Sequence, residues 1–331
     1  MFRKKPKYFY HKNIIATLLT PLSIMYILVF AISKIKILKP KNICKKTICV
    51  GNIVVGGSGK TPICLELCKL FQKKGKNVCF ITKGYGREQK TPTIIPYNHY
   101  FVFNPKEVGD EALLLNYQAD VYVVNKRKHS TSQNYDVAIC DDGFFDNTIQ
   151  KDCNIAVFDG KFFTGNNKVL PAGPLRYRIK SLKKADFIIL TNATDMEFLK
   201  CLSFLLHFAT IDKILLAKLV VKSKHNKRQK YLAFSGIGEN SKFIDSLKEY
   251  GLNIVADISF EDHKKYTTND LQNIKQCFIN STADKMITTT KDYVKLPKEF
   301  CEAMQIEVFE IGYDIQDVDS IFDFVYSKKN E

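Results

Sequence analysis

The sequence predicts an α/β protein with mostly parallel sheets wrapped by helices. Short β-branched apolar runs alternate with stretches of helical periodicity along most of the 331 residues, a pattern typical of strand, crossover helix, strand units. The first unit combines a strand at 47–55, a helix at 61–74 and a strand at 77–82. A second such series begins at residue 213, so we expect two α/β lobes with a cleft between them.

The remaining elements follow from the same two periodicities. Further strands are predicted at 120–124, 136–140, 154–158, 186–190, 213–221, 231–235, 253–259, 285–289 and 306–311, and helices at 241–250, 268–278 and 317–326. With 45% hydrophobic residues, the chain has enough apolar mass for real cores and is not a disordered protein.

The N-terminus is both basic and apolar. The first fifty residues hold eleven Lys or Arg and no Asp or Glu, around an uncharged stretch of nineteen residues at 14–32. That length is just enough for a helix to span a hydrocarbon core. The segment either spans the membrane once or lies in one leaflet with its basic flanks on the headgroups; a buried core helix is the alternative.

Two bulk properties narrow the class of protein. The net charge of +16 permits a nucleic-acid partner, but no zinc-finger spacing or RNA-recognition motif supports one, and we expect none. The ten cysteines are scattered without C-x-x-C pairs, which indicates buried free thiols in a reducing compartment rather than disulfides or zinc.

A glycine-rich loop, GNIVVGGSGKTP at 51–62, separates the first strand from its helix. Glycines allow backbone N–H groups to turn around a phosphate, Lys60 can reach the β- and γ-phosphates, and Thr61 offers a hydroxyl to Mg²⁺. The loop has Val54 where the strict phosphate-loop pattern has glycine. The predicted nucleotide-binding residues are Gly56, Gly57, Ser58, Gly59, Lys60 and Thr61.

An apolar strand ending in two acids follows about 80 residues later. Asp141 and Asp142 close the run DVAICDD, which is how such strands present carboxylates to the metal beside a bound nucleotide. We therefore predict a bound nucleotide and Mg²⁺, with Thr61, Asp141 and Asp142 at the metal and Glu111 as a further candidate. Simple solvation of a strand end is the alternative.

Eight short motifs are distributed over most of the chain: GNIVVGGSGKTP (51–62), KGYGRE (83–88), VGDEALLL (108–115), DDGF (141–144), LPAGPLR (170–176), AFSGIG (233–238), FEDHKKY (260–266) and TTTKDYVKL (288–296). Together and in this order they resemble the tetraacyldisaccharide 4′-kinases of lipid A biosynthesis. The chain departs from the family at Phe145, where Gln is usual, at Tyr177, where Glu is usual, and at Thr290, where the family has Glu.

The resemblance implies an ATP-dependent lipid kinase. It would transfer the γ-phosphoryl group to the 4′-hydroxyl of tetraacyldisaccharide 1-phosphate to form lipid IVA, at the cytoplasmic face of the bacterial inner membrane and without an obligate protein partner. The alternatives are a P-loop kinase or ligase for another small or lipid acceptor, and a membrane-tethered nucleotide switch. A guanine-specific switch is disfavoured because the N-K-x-D signature needs Asp where Lys128 stands.

The resemblance also implies roles for single residues. Asp110 of the GDE motif would be the catalytic base and His263 its partner, which can orient the carboxylate and buffer its proton; a helix N-cap and a surface histidine are the alternatives. Arg87 and Arg176 follow glycine- or proline-rich turns, where a guanidinium can bind a phosphate through two hydrogen bonds; an ordinary surface arginine is the alternative for each. Phe144 is a candidate substrate contact, although it or Phe145 could pack in the core.

These assignments predict three consecutive segments. Residues 1–40 form a basic, apolar, membrane-associated helix. Residues 41–180 form the P-loop nucleotide-binding domain, and residues 181–331 form a smaller C-terminal α/β domain that closes the active-site cleft. The predicted fold is thus a two-lobed P-loop NTPase-like kinase preceded by a membrane-associated helix.

Overall fold

The computed structural model describes residues 6–11, 13–33, 39–130, 132–238, 240–262 and 264–327. The strands are β1 Lys46–Gly51, β2 Val78–Thr82, β3 Thr93–Ile95, β4 Asp120–Val123, β5 Val137–Asp141, β6 Cys153–Asp159, β7 Phe187–Thr191, β8 Ile214–Val221, β9 Lys230–Ser235, β10 Asn253–Ser259, β11 Lys285–Thr289, β12 Glu307–Phe309 and β13 Ile311–Ile315. The α-helices are α1 Ile14–Leu18, α2 Thr20–Ser33, α3 Lys60–Lys73, α4 Pro105–Val108, α5 Asp110–Asn116, α6 Asp195–Leu205, α7 Asn240–Tyr250, α8 Thr268–Asn280, α9 Thr290–Tyr293, α10 Lys298–Ala303 and α11 Asp319–Ser327.

The chain divides into two compact units that are not consecutive in sequence. The first unit comprises Met1–Lys83, Val124–Leu219 and Tyr313–Glu331, and the second comprises Gly84–Val123 and Val220–Gly312. The predicted boundary near residue 180 therefore divides the chain differently. The chain leaves the first unit after β2 and returns after β4; it leaves again after Leu219 and returns at Tyr313. The local amino-acid composition does not indicate these crossings.

The first unit is built on a sheet whose strands run in the order β13-β8-β7-β6-β1-β5-β2. The pairs β1–β5, β1–β6, β2–β5, β6–β7 and β7–β8 are parallel. All five residues of β5 are buried, as expected for a central strand covered by helices on both faces. The prediction of an α/β fold with a mostly parallel sheet is confirmed.

The second unit holds a four-stranded sheet in the order β10-β9-β11-β12, in which every neighbouring pair is parallel. Alternate residues of β9 face opposite sides: Tyr231 packs in one apolar cluster with Phe243 of α7, and Phe234 packs in another with Ile274 of α8. The unit also contains the antiparallel pair β3–β4. All four carboxyl ends of the parallel strands therefore meet at one edge of this sheet.

The apolar N-terminal segment forms two helices instead of one. Helix α1 ends at Leu18 and α2 begins at Thr20, since Pro21, which has no N–H to donate, is suited to the first turn of a helix. None of the described helices is long and apolar enough to cross a bilayer.

Polar contacts hold this helix pair on the rest of the first unit. Ser23 Oγ donates to the Val169 carbonyl at 2.8 Å and accepts from the Ala172 N–H at 3.1 Å. Lys168 Nζ donates to the Ala16 carbonyl at 3.1 Å and to Thr20 Oγ1 at 2.9 Å. The large apolar side chains of the other face are exposed: Ile14, Ile15, Leu18, Leu22, Ile24, Met25, Leu28 and Val29.

Candidate functional site

The glycine-rich loop lies between β1 and α3, as the sequence predicts. Gly59 caps α3 with φ of 77°, and a Cβ there would lie 3.0 Å from the Tyr313 hydroxyl, so both the backbone angle and the space require glycine. At Gly57 the neighbourhood is open, because no heavy atom of the described chain lies within 4 Å of an added Cβ. The loop is therefore open at Gly57, close to the positive end of a fourteen-residue helix.

Neighbouring side chains fix the shape of this loop. Asn52 Nδ2 donates to Ser58 Oγ at 3.0 Å, and Thr191 Oγ1 donates to the Ser58 carbonyl at 3.2 Å. Val54, which replaces the expected glycine, is buried and forms an antiparallel bridge with Leu175. An apolar side chain at this position therefore anchors the start of the loop to the core.

Two of the predicted metal ligands lie together at the end of the central strands. Thr61 Oγ1 donates to Asp141 Oδ2 at 3.3 Å, and both side chains are buried. Among the described residues no cluster of three His, Cys, Asp or Glu side chains is arranged as a metal site. A hydroxyl and one carboxylate are nevertheless the donor set that suits Mg²⁺, which keeps several waters and shares substrate phosphates. Thr61 and Asp141 therefore fit a nucleotide-bound Mg²⁺.

The neighbouring carboxylate, Asp142, has a different environment. Its side chain is half exposed and lies 3.4 Å from Arg176 Nη1, while its backbone takes the left-handed conformation with φ of 51°. The structure thus brings the predicted site residues Asp142 and Arg176 together as an ion pair beside the buried Asp141.

Burial raises the pKa of the Asp141 carboxyl, and the charge of Lys60 partly opposes this. The folded protein therefore holds this proton to higher pH than the unfolded chain, whose Asp pKa is about 3.9. As pH rises above that value, the unfolded chain loses this proton before the folded protein does, so the free energy of unfolding of the ligand-free protein falls.

We accordingly expect Asp141→Asn to raise the melting temperature of the ligand-free protein at pH 7, by about 1–2 °C for each kcal/mol gained when the buried charge is removed. The difference from the unsubstituted protein should shrink as the pH approaches about 4. Calorimetry at both pH values checks this, with Asp142→Asn as the exposed control. A melting temperature at pH 7 that is equal or lower for Asp141→Asn would contradict the interpretation.

Arg127 is a site residue that the sequence analysis did not identify. It is the largest fully buried side chain described, it pairs with Asp146 at 3.1 Å, and its Nη2 donates to the main-chain carbonyl of Asp141. Burial works against ionisation of Asp146, but hydrogen bonds from Thr148 and the charge of Arg127 lower its pKa. The pair thus fixes the backbone that presents Asp141; an arginine shortly after a strand was the available sequence signal.

The two aromatic residues that follow Asp142 in the sequence, Phe144 and Phe145, differ in burial. Phe144 is 2% exposed and packs so closely on Gly51 that a Cβ there would lie 2.5 Å from the Phe144 Cβ. Its burial favours packing over the predicted substrate contact. Phe145 is half buried and stacks on Tyr177, so the two departures from the family pattern contact each other.

In the second unit, the predicted motifs KGYGRE and GDE meet. Gly109, with φ of 90°, packs closely on the Gly84 backbone. A Cβ on Gly109 would lie 3.0 Å from the Gly84 carbonyl carbon. Asp110 begins α5 directly afterwards and is half buried, and Glu111 beside it is exposed. Arg87 Nη1 donates to the Thr91 carbonyl at 3.0 Å, and burial lowers its pKa. His263, the predicted partner of Asp110, lies outside the described residues.

Comparison with known proteins agrees with these motifs. The sequence profile of the LpxK family, tetraacyldisaccharide-1-P 4′-kinase, matches residues 15–328. A tetraacyldisaccharide 4′-kinase of Rickettsia canadensis (strain McKiel) is 36% identical over 301 residues, covering 88% of this chain and 87% of that protein. The corresponding protein of Rickettsia felis (strain ATCC VR-1525 / URRWXCal2) is 35% identical over 295 residues, with the same coverage of both chains.

A solved structure extends the similarity to the fold. The crystal structure of the "apo" form of LpxK from Aquifex aeolicus in complex with ATP matches with a TM-score of 0.73 and 25% identity, covering 95% of this chain and 99% of that chain. The matched length, the relatives and the shared fold agree on one assignment. The chain belongs to the tetraacyldisaccharide-1-P 4′-kinase family.

Proposed function

We propose that this protein transfers the γ-phosphoryl group of ATP to the 4′-hydroxyl of tetraacyldisaccharide 1-phosphate, which yields lipid IVA in lipid A biosynthesis. The observation that carries the proposal is the phosphate loop followed by the buried Thr61–Asp141 pair, 3.3 Å apart, in a chain that matches the family over residues 15–328. Neither part suffices alone, because phosphate loops serve many reactions.

The nucleotide would bind at the loop between β1 and α3. The backbone N–H groups of Gly56, Gly57, Ser58 and Gly59 would surround its phosphates, and Lys60 would neutralise their charge. Thr61 and Asp141 would hold Mg²⁺, with Asp142 beside them and Glu111 as a further candidate. When bound, this ion would neutralise part of the negative charge of the nucleotide's phosphates.

The acceptor would be activated by Asp110. Its carboxylate would accept the proton of the 4′-hydroxyl as that oxygen attacks the γ-phosphorus, and the bond from the γ-phosphorus to the bridging oxygen would break to release ADP. His263 would orient Asp110 and buffer its proton. Arg87 and Arg176 would bind phosphate groups of the substrates; the ion pair between Arg176 and Asp142 keeps that guanidinium beside the nucleotide loop.

The direct test uses ATP labelled at the γ-position, Mg²⁺ and the detergent-dispersed lipid acceptor. We expect label to move to the acceptor that has a free 4′-hydroxyl and not to the same lipid already phosphorylated there. Hydrolysis of ATP without labelling of either lipid would refute the lipid kinase and favour the nucleotide switch. Labelling of a different acceptor alone would favour another P-loop kinase.

We further propose that the protein acts at the cytoplasmic face of the inner membrane, with α1 and α2 lying in the interface. The supporting observation is the exposed apolar face of the two helices, whose opposite face is held by Ser23 and Thr20. A helix with one apolar face and basic flanks is suited to the headgroup boundary. An acceptor with four acyl chains would reach an enzyme seated there.

The double variant Leu18→Glu/Leu28→Glu is therefore expected to partition about 10²–10⁴-fold more weakly onto vesicles of zwitterionic and anionic phospholipid, because each leucine loses apolar burial of about 1.5–3 kcal/mol. Sedimentation with vesicles at low and high salt checks this. Leu199→Glu, at an exposed leucine of α6, is the matched control. Equal partitioning of the double variant and the control would overturn the interfacial placement.

A further inference from the structure

A buried ion pair lies at the carboxyl edge of the second unit's parallel sheet. Asp292 of α9 and Lys295 just beyond it have side chains that are 0% and 2% exposed, with Nζ and Oδ1 3.7 Å apart. Removing two charges from water costs several kcal/mol for each ion before their attraction is counted. Helix α9 does not need the lysine, since Thr289 caps it through its own bond with the Asp292 N–H. The pair therefore requires another explanation.

The lysine reaches across to a different loop. Lys295 Nζ lies 3.5 Å from the main-chain carbonyl oxygen of Lys264, in the segment 260–266 that joins β10 to α8. The side chain of Lys264 points elsewhere, to Asp270 at 2.9 Å. Lys295 is thus placed to hold the backbone of this segment at the residue that directly follows His263.

The loop after β9 packs into the same cluster. A Cβ on Gly236 would lie 2.7 Å from the Lys264 Cβ and 3.1 Å from Asp292 Oδ1, so the three loops that follow β9, β10 and β11 are in close contact. The Tyr266 ring packs on Phe234 and Phe260. The described residues of the segment 260–266 are therefore attached to this edge of the sheet by the rings of Phe260 and Tyr266 and by the contact of Lys295 with the Lys264 carbonyl.

Helix α9, which directly precedes Lys295, packs against α5, and α5 begins at the predicted catalytic base Asp110. Burial lowers the pKa of Lys295, and the charges of Asp292 and then Asp110 act in the opposite direction. The charges of Lys291 and Asp262 also act on the pKa of Lys295; these two side chains form a partly exposed ion pair 3.5 Å apart. Lys295 therefore lies within electrostatic reach of Asp110 at the start of α5 and in contact with the segment that carries His263.

We propose that Lys295 is a positioning residue, which together with Asp292 orders the segment 260–266 and keeps a positive charge close to the start of α5, where Asp110 lies. The lysine side chain is long enough for its ammonium group to reach both the Asp292 carboxylate and the Lys264 carbonyl on another loop. The catalytic part of this inference rests on the proposed phosphoryl transfer and on Asp110 and His263 as its acid–base pair. The ordering of the segment does not depend on that function.

The experiment compares Lys295→Met with Lys248→Met, which removes an exposed lysine of α7 in the same unit and serves as the control. Backbone amide hydrogen exchange in 260–266 should rise about tenfold in Lys295→Met and stay unchanged in the control. The kcat for lipid labelling should fall by about 10–10²-fold while the KM for ATP stays within about twofold, because misplacement of the acid–base pair affects the chemical step and not nucleotide binding.

A second variant keeps the test decisive if an unpaired Asp292 destabilises the fold. Lys295→Met/Asp292→Asn removes both charges, so no buried ion is left alone, and it should show the same exchange and kcat changes. Unchanged exchange in 260–266 in both variants overturns the proposal, and so does faster exchange with an unchanged kcat. If the unsubstituted protein labels no lipid, the proposed function fails, and the exchange result still decides whether Lys295 orders the segment.

Discussion

Replacing Asp110 with Asn is expected to lower the kcat for lipid phosphorylation by about 10²–10⁴-fold, the range typical of a lost general base. Asn has the same shape and can still occupy the first turn of α5, so the helix should form. It cannot accept the proton of the 4′-hydroxyl. The KM for ATP should stay nearly constant, because the nucleotide loop belongs to the other unit. Steady-state labelling of the lipid with γ-labelled ATP measures both constants.

The control for this variant is Asp245→Asn, which removes an exposed carboxylate from α7 in the same unit. It changes the net charge by the same amount and should leave kcat unaltered. Retention of kcat within tenfold in Asp110→Asn would exclude this carboxylate as the base, even if the unsubstituted protein proves to be the lipid kinase. Unfolding curves for both variants separate a catalytic loss from a loss of folded protein.

The second large effect is expected for Lys60→Ala, which should reduce the rate of phosphoryl transfer by roughly 10²–10³-fold, the usual result of removing one preorganised group that stabilises developing charge. The variant should also bind ATP more weakly. An unsubstituted protein at a hundredfold excess of ATP over its Kd gains about 2.7 kcal/mol of stability, and most of that thermal shift should disappear. Labelling assays and melting curves with and without ATP measure the two effects.

Lys73→Ala provides the comparison for Lys60→Ala. Both lysines lie on α3, but Lys73 is exposed at its C-terminal end, away from the phosphate loop. We expect wild-type rates and a full thermal shift for Lys73→Ala. A thermal shift by ATP that survives in Lys60→Ala would mean that the nucleotide binds elsewhere. The charge of Lys60 also lowers the pKa of Asp141, so its loss should raise that pKa further.

Much of the first unit could be read from local sequence. The predicted helix at 61–74 is observed as α3 at Lys60–Lys73, and the predicted strand at 77–82 is β2 at Val78–Thr82. The predicted strand at 47–55 ends earlier, at Gly51, because the chain then turns into the phosphate loop. The single strand predicted at 306–311 is two strands, β12 and β13. Helix α6 was missed although Thr194 and Glu197 form a capping box at its start.

The residues of the candidate site could be proposed from the sequence wherever one short segment contains them. The loop at 51–62 and the acidic strand end at Asp141 have this property, because a strand, a turn and a helix terminus are neighbours along the chain. The burial of Arg127 under Asp141 and the ion pair of Asp292 with Lys295 do not show in any local pattern. Charged residues are usually exposed, so the sequence alone gives no reason to expect one that distant segments bury.

The sequence by itself determined the alternation of strands and helices, the phosphate loop and the family, since these depend on residues that are close along the chain. Only the tertiary structure decided the discontinuous division into two units, the break of the N-terminal helix pair at Leu19, the burial of Phe144 beside the half-buried Phe145, and the contact of Lys295 with the loop that carries His263. The physical reason is that these features depend on which segments enclose a side chain. Enclosure is a property of contacts between residues far apart in the chain, and local periodicity contains no information about those contacts.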